Sequence, residues 1–136
     1  MEDTVEYKVL VPIANDSEEM EALSIIDVLR RAKATVTVAS VEDTLEVSAR
    51  RKVKIVADML IDDVAKFQYD LIVLSGGISG AKKFSSTETL IGLLKKQKEL
   101  NQPYGAICAS PGWVLEPHGL LNVLSLTISA FYCKTL

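Results

Sequence analysis

Two kinds of hydrophobic run alternate along this chain. Short, almost continuously apolar stretches recur at Lys8-Val9-Leu10-Val11-Pro12-Ile13, Thr35-Val36-Thr37-Val38-Ala39, Tyr69-Asp70-Leu71-Ile72-Val73-Leu74 and Tyr104-Gly105-Ala106-Ile107. Runs of this length suit strands buried on both faces of a parallel sheet. Between them lie segments of helical period. Ala22, Ile25, Ile26 and Leu29 fall at i, i+3, i+4 and i+7, a single apolar stripe that predicts helix to about Ala32. Asp16 as the cap and Glu19 three residues on form a capping box at its start. Arg30, Arg31 and Lys33 place positive charge at its end, where the helix dipole favours it. Leu90, Leu93, Leu94 and Leu100 predict a second helix over 89–100, stopped by Asn101-Gln102-Pro103. A short helix is expected over 62–67. Leu45-Glu46-Val47-Ser48 and Val53-Lys54-Ile55-Val56-Ala57 read as a hairpin, and the Arg50-Arg51-Lys52 between them as a solvated turn. Strand, helix and strand in that order over the first thirty-odd residues make a βαβ unit, and hence a parallel sheet.

Composition narrows the function classes. A chain of 136 residues is one domain or part of one. Its 18 acids against 15 bases give no basic excess for nucleic acid, which is not expected as a partner. No apolar run approaches the ~18 residues of a membrane helix, so no membrane partner is expected either. The start, Met1-Glu2-Asp3-Thr4-Val5-Glu6, resembles neither a secretory signal nor a transit peptide. Two cysteines, Cys108 and Cys133, without a disulfide framework point to a reducing compartment, the cytosol or the nucleus.

The candidate chemistry centres on Pro103-Tyr104-Gly105-Ala106-Ile107-Cys108-Ala109-Ser110-Pro111-Gly112-Trp113. An apolar strand ends at a cysteine, and Pro111 stands where a helix can begin without losing a hydrogen bond. In such a strand, turn and helix the thiol faces amide N–H groups at the helix start, which favour thiolate, so an acidic thiol is expected. The same pattern also fits an ordinary core cysteine. Gly76-Gly77 follows another strand, where paired glycines either present their N–H groups to a ligand or simply turn the chain. Glu21 lies in the first turn of the first helix. In an open α/β sheet the ligand crevice lies beyond the carboxyl ends of the strands, and Glu21, Gly76-Gly77 and Cys108 all converge on that edge.

These residues resemble the DJ-1/PfpI superfamily, its DJ-1 branch in particular and most of all a plant homologue. The resemblance is carried by Val11-Pro12-Ile13-Ala14, Ser17-Glu18-Glu19-Met20-Glu21-Ala22 and Asp27-Val28-Leu29-Arg30-Arg31-Ala32. It continues in Asp70-Leu71-Ile72-Val73-Leu74-Ser75-Gly76-Gly77 and Ala106-Ile107-Cys108-Ala109-Ser110-Pro111, covering about Lys8 to Leu121. It implies a flavodoxin-like three-layer α/β sandwich with a mostly parallel sheet, usually a homodimer. It also implies a readily oxidised elbow cysteine at Cys108, hydrogen-bonded by Glu21. Ser75 stands where that family usually has proline. After Gly119-Leu120-Leu121 the family's further strands and helix are not recognisable. The expectation is therefore an incomplete DJ-1/PfpI-like domain over 1–121 and a divergent tail over 122–136, about a quarter short of the usual length. In that tail Leu124, Leu126, Ile128, Ala130 and Tyr132 alternate with polar residues and could form a replacement edge strand.

The resemblance implies a cofactor-independent glyoxalase acting on small dicarbonyls such as methylglyoxal, or a deglycase acting on glycated protein. Cys108 would be the nucleophile, Glu21 the proton carrier, and Gly76, Gly77 and Ala109 the substrate and oxyanion contacts. Glu18 and Glu19 are expected to stand outside the site. The alternatives are a redox sensor or chaperone using an oxidisable Cys108, and an inactive shortened isoform. His118, the one histidine, is expected at the end of the elbow helix. With two cysteines and one histidine, neither a Cys-His-Glu triad nor a tetrahedral metal site is expected.

Overall fold

The first strand, β1 (Lys8–Ile13), is buried from Val9 onward. Leu10 joins one apolar cluster while Val9, Val11 and Ile13 join another. This is the pleat of a strand covered on both faces. The computed structural model describes residues 5–121. The replacement edge strand and Cys133 expected in the tail lie outside the described residues.

Five parallel strands form the sheet in the order β5-β2-β1-β6-β7. On one side of β1, β2 (Thr35–Ser40) pairs along its full length, from Lys8 opposite Thr35 to Ile13 opposite Ser40. On the other, β6 (Leu71–Leu74) pairs at Val9↔Leu71 and Leu10↔Ile72. That ladder ends before Pro12, so the proline's missing N–H interrupts no pairing with β6. β5 (Met59–Leu60) extends the sheet beyond β2, and β7 (Tyr104–Ala106) extends it beyond β6. The strand order therefore reverses between β1 and β6.

α1 (Glu19–Arg31) and the antiparallel ribbon β3 (Glu46–Ser48) and β4 (Lys54–Val56) cover one face. Ala22, Ile26, Val47 and Ala57 pack there with Val9, Val11, Ile13, Val36 and Val38. The opposite face carries α2 (Ile61–Val64), α3 (Ile78–Ser86), α4 (Glu88–Glu99) and a short helix after β7, Pro111–Leu115. From it Val64, Phe84, Leu94 and Leu115 surround Leu10, Ile72 and Leu74. Helices on both faces of a parallel sheet make the three-layer, flavodoxin-like sandwich expected from the sequence.

Three local expectations are corrected. α1 is capped by Glu18, whose carboxylate accepts from the N–H groups of Met20 (3.4 Å) and Glu21 (3.0 Å), and not by Asp16. Asp16 lies two residues too early, in a turn at φ 63°. The segment after Gly76-Gly77 continues as α3, which the glycine-turn reading did not anticipate. The helix after β7 is a single wide turn in which Glu116 N–H reaches back five residues to the Pro111 carbonyl (3.0 Å), so it ends at Leu115, short of His118.

Candidate functional site

Three loops leave the carboxyl ends of β1, β6 and β7 and meet where the strand order reverses, the position at which open α/β sheets form their crevice. The loop after β1 is held by Ser17, whose Oγ accepts from Ala14 N–H at 2.9 Å. It is tied to the loop after β6 by a hydrogen bond from Glu18 N–H to the Gly76 carbonyl, 3.0 Å. One turn into α1, Glu21 points back, and its Oε2 accepts from Gly76 N–H at 2.6 Å. The carboxylate is half-buried and fixed in place.

Both residues of the glycine pair have steric reasons to be glycine. A Cβ on Gly76 would lie 2.6 Å from Cys108 Cβ and 2.7 Å from Glu21 Oε2, so a bare backbone is needed for carboxylate and thiol to share one space. Gly77 has φ 88°, a conformation side chains rarely take, and a Cβ there would strike the Asp16 carbonyl.

Cys108 sits at φ 56°, left-handed backbone unusual for a residue other than glycine. The turn is closed by Ser110 N–H donating to the Ile107 carbonyl (3.2 Å). Ser110 Oγ donates to the buried Ser75 carbonyl at 2.6 Å, fastening this turn to the glycine loop. The serine between Ala109 and Pro111 is thus a site-building residue that the sequence reading passed over. As a residue Cys108 is exposed, which removes the core-cysteine alternative, while its sulfur is partly desolvated among Glu21, Gly77 and Ala109.

The electrostatics correct one expectation. Partial burial pushes the Cys108 thiol up from its ordinary value, and the Glu21 carboxylate pushes the same way by hydrogen bond and by charge. The N–H groups of Gly77 and Ala109, hydrogen-bonded to the sulfur, pull it down but are outweighed. The thiol is therefore held less acidic than a free cysteine. Gly76 is corrected as well: its single N–H is taken by Glu21, leaving Gly77 and Ala109 as the donors beside the sulfur.

Glu21, Gly76, Gly77, Cys108 and Ala109 are thus brought together. Glu19, expected only as the capping-box residue and outside the site, is bound to the ribbon. It is buried, its Oε1 accepts from Arg51 N–H at 2.7 Å, and its Oε2 has no partner among the described residues. Arg50, Arg51 and Lys52 are exposed, as a solvated turn should be. His118 Nε2 lies 3.1 Å from Ser85 Oγ and 2.9 Å from the Ser85 carbonyl, steadying the end of α3 away from the thiol. Among the described residues no cluster of metal-ligating side chains occurs, and no helix is long and apolar enough to cross a membrane.

A parallel sheet with an elbow thiol and an opposed carboxylate at its switch point defines a flavodoxin-like protein with a cysteine-centred site. The DJ-1/PfpI family profile matches residues 7–135, and the chain belongs to that family. It is 59% identical over 129 residues to Protein DJ-1 homolog B of Arabidopsis thaliana, covering 95% of this chain and 30% of that protein. The structure described as Toxoplasma gondii DJ-1, oxidized, superposes with a TM-score of 0.84 at 52% identity, covering 85% of this chain and 62% of that one. Glutathione-independent glyoxalase DJR-1.2 of Caenorhabditis elegans is 34% identical over 113 residues, 83% of this chain and 59% of that protein. The chain thus spans about a third of the Arabidopsis relative and about three-fifths of the other two.

Proposed function

We propose that this chain converts small dicarbonyls such as methylglyoxal to hydroxy acids without a cofactor, in a reducing compartment and as a homodimer. The observation that carries this reading is the Cys108 sulfur held at a left-handed elbow between two N–H donors and a fixed carboxylate. The C. elegans relative supports it by its name.

Because the thiol is held protonated, the reaction begins with transfer of its proton to Glu21 as the sulfur attacks the aldehyde carbon. A C–S bond forms, and the carbonyl oxygen becomes an oxyanion within reach of the Gly77 and Ala109 N–H groups. Protonation of that oxygen gives a hemithioacetal. Glu21 then removes the hydrogen from the former aldehyde carbon and returns it to the neighbouring carbon. The hydroxyl proton passes to the neighbouring oxygen, one carbon is oxidised and the other reduced, and a thioester results. Water hydrolyses the thioester and frees the thiol. A glycated side chain offers the same chemistry to the same residues, which is the deglycase form of the proposal.

The test is lactate formation from methylglyoxal without glutathione. Cys108→Ser should abolish it, and Glu21→Gln should lower kcat by about a hundredfold or more while the fold is kept. Lactate production unaffected by Cys108→Ser would remove the proposal. The redox reading draws on the oxidized state of the T. gondii relative. The raised Cys108 pKa weighs against it, since oxidation follows thiolate character.

A further inference from the structure

The two helices that begin at the site carry a pair of side chains that the chemistry above does not use. Gly77, whose N–H bonds the sulfur, immediately precedes α3, and Ala109, whose N–H does the same, lies two residues before the Pro111–Leu115 helix. The two helices pack against each other. Five residues beyond Gly77 is Lys82, and four beyond Ala109 is Trp113, whose N–H donates to the Ala109 carbonyl at 3.0 Å. The two side chains meet, with the Lys82 ammonium 4.6 Å from the Trp113 ring centroid. Trp113 is 41% exposed and Ile78, first residue of α3, 47% exposed. Ile78, Lys82 and Trp113 thus form a partly apolar wall carrying one cation. At about 1.5 Å of rise per residue, the Lys82 Cα lies about 7–8 Å along α3 from Gly77.

The charge on this wall is available to a ligand. Neighbouring Lys83 has an ion pair with Glu42, 3.7 Å, whereas Lys82 has no carboxylate partner among the described residues. The ring orders the ammonium without neutralising it. Glu21, hydrogen-bonded to the thiol, repels an anionic substrate, and Lys82, on the helix that begins after Gly77, is a cation able to offset that repulsion.

We infer that Lys82, steadied by Trp113, selects for carbonyl substrates carrying an anionic group, a carboxylate or a phosphate, on the carbon chain next to the reacting carbonyl. This rests on Cys108 as the reacting atom and assigns a substrate preference to the same site.

The test compares alkylation of Cys108 by iodoacetate and iodoacetamide, two electrophiles of similar size that differ in charge, on the full chain with peptide-resolved mass readout. Lys82→Gln should lower the iodoacetate-to-iodoacetamide rate ratio by about threefold at low salt, the size expected of one partly screened charge at this range. Trp113→Ala should lower it less, and added salt should shrink the difference. Lys83→Gln should leave the ratio unchanged. An unchanged ratio in Lys82→Gln with Cys108 still reactive overturns the inference alone, as does an equal fall in Lys83→Gln. A Cys108 inert to both reagents in the unsubstituted chain overturns the nucleophile reading together with it.

Discussion

At the scale of single residues, burial first and the Glu21 carboxylate second hold the Cys108 thiol above its ordinary value. Glu21 adds to the burial that raises the Cys108 pKa, so Glu21→Gln should move the pH profile of iodoacetamide labelling toward lower pH. Labelling that moves the other way would show that the carboxylate assists ionisation. The same shift bears on stability. The folded thiol binds its proton more tightly than the unfolded one, so its contribution is full below the ~8.5 of a free cysteine and is lost as pH rises through the folded value. Urea midpoints measured between about pH 7 and pH 10 should fall on the alkaline side, less steeply in Cys108→Ser. Ser75 carries a different penalty. Its Oγ is fully buried without a partner among the described residues, while its carbonyl, which Ser110 needs, is backbone and survives substitution. Ser75→Ala should therefore raise stability by about 1 kcal/mol in urea denaturation.

Among the elements, the link between α1 and the β3–β4 ribbon gives the next prediction. Arg50 N–H donates to the Ser17 carbonyl (3.0 Å), Asp16 N–H to the Ser48 carbonyl (2.9 Å), and Arg51 N–H to buried Glu19. Glu19→Ala should cost about 1 kcal/mol and speed hydrogen exchange at Arg51, because that part-buried N–H loses its acceptor. Glu19→Gln keeps an acceptor oxygen and should cost much less. These links also show what the sequence could and could not disclose. The apolar runs of β1, β2, β6 and β7 and the stripes of α1 and α4 were legible because their periods reflect burial against a sheet. The ribbon was legible from its two β-rich runs. α3 was not, since its buried residues Gly80, Ala81 and Phe84 make too sparse a stripe beside two glycines. β5, two residues long, has no period at all. The bond from Arg51 N–H to Glu19 was not legible, because the ribbon that supplies it is remote in sequence. At the site, Glu21, Gly76-Gly77 and Cys108 were legible from strand-end spacing, but the rise in thiol pKa depends on the carboxylate's placement in space.

For the whole molecule, the notable surface is the outer side of α1 and the ribbon. Met20 is 76% exposed and Val56 67%, with Leu23, Val28 and Val53 also uncovered. These elements lie on one face of the sheet, and exposed apolar side chains on them are the kind of surface that subunits cover. The proposed occupant is a second copy of this chain. Sedimentation at about 100 μM should show a dimer, and Met20→Asp should weaken it at least about tenfold by placing an unpaired charge in the contact. A sharp monomer at that concentration would contradict the assignment.

The assembly of the site from three crossovers has a consequence of its own. Glu21 and Gly76 stand 55 positions apart, and Cys108 comes from a third strand, so no fragment of the chain reproduces the surroundings of the sulfur. Folding suppresses ionisation of this thiol, and unfolding releases it. The pH at which Cys108 begins to react therefore reports whether all three loops are in place around the sulfur, and it should fall toward that of a free cysteine when any one of them is displaced.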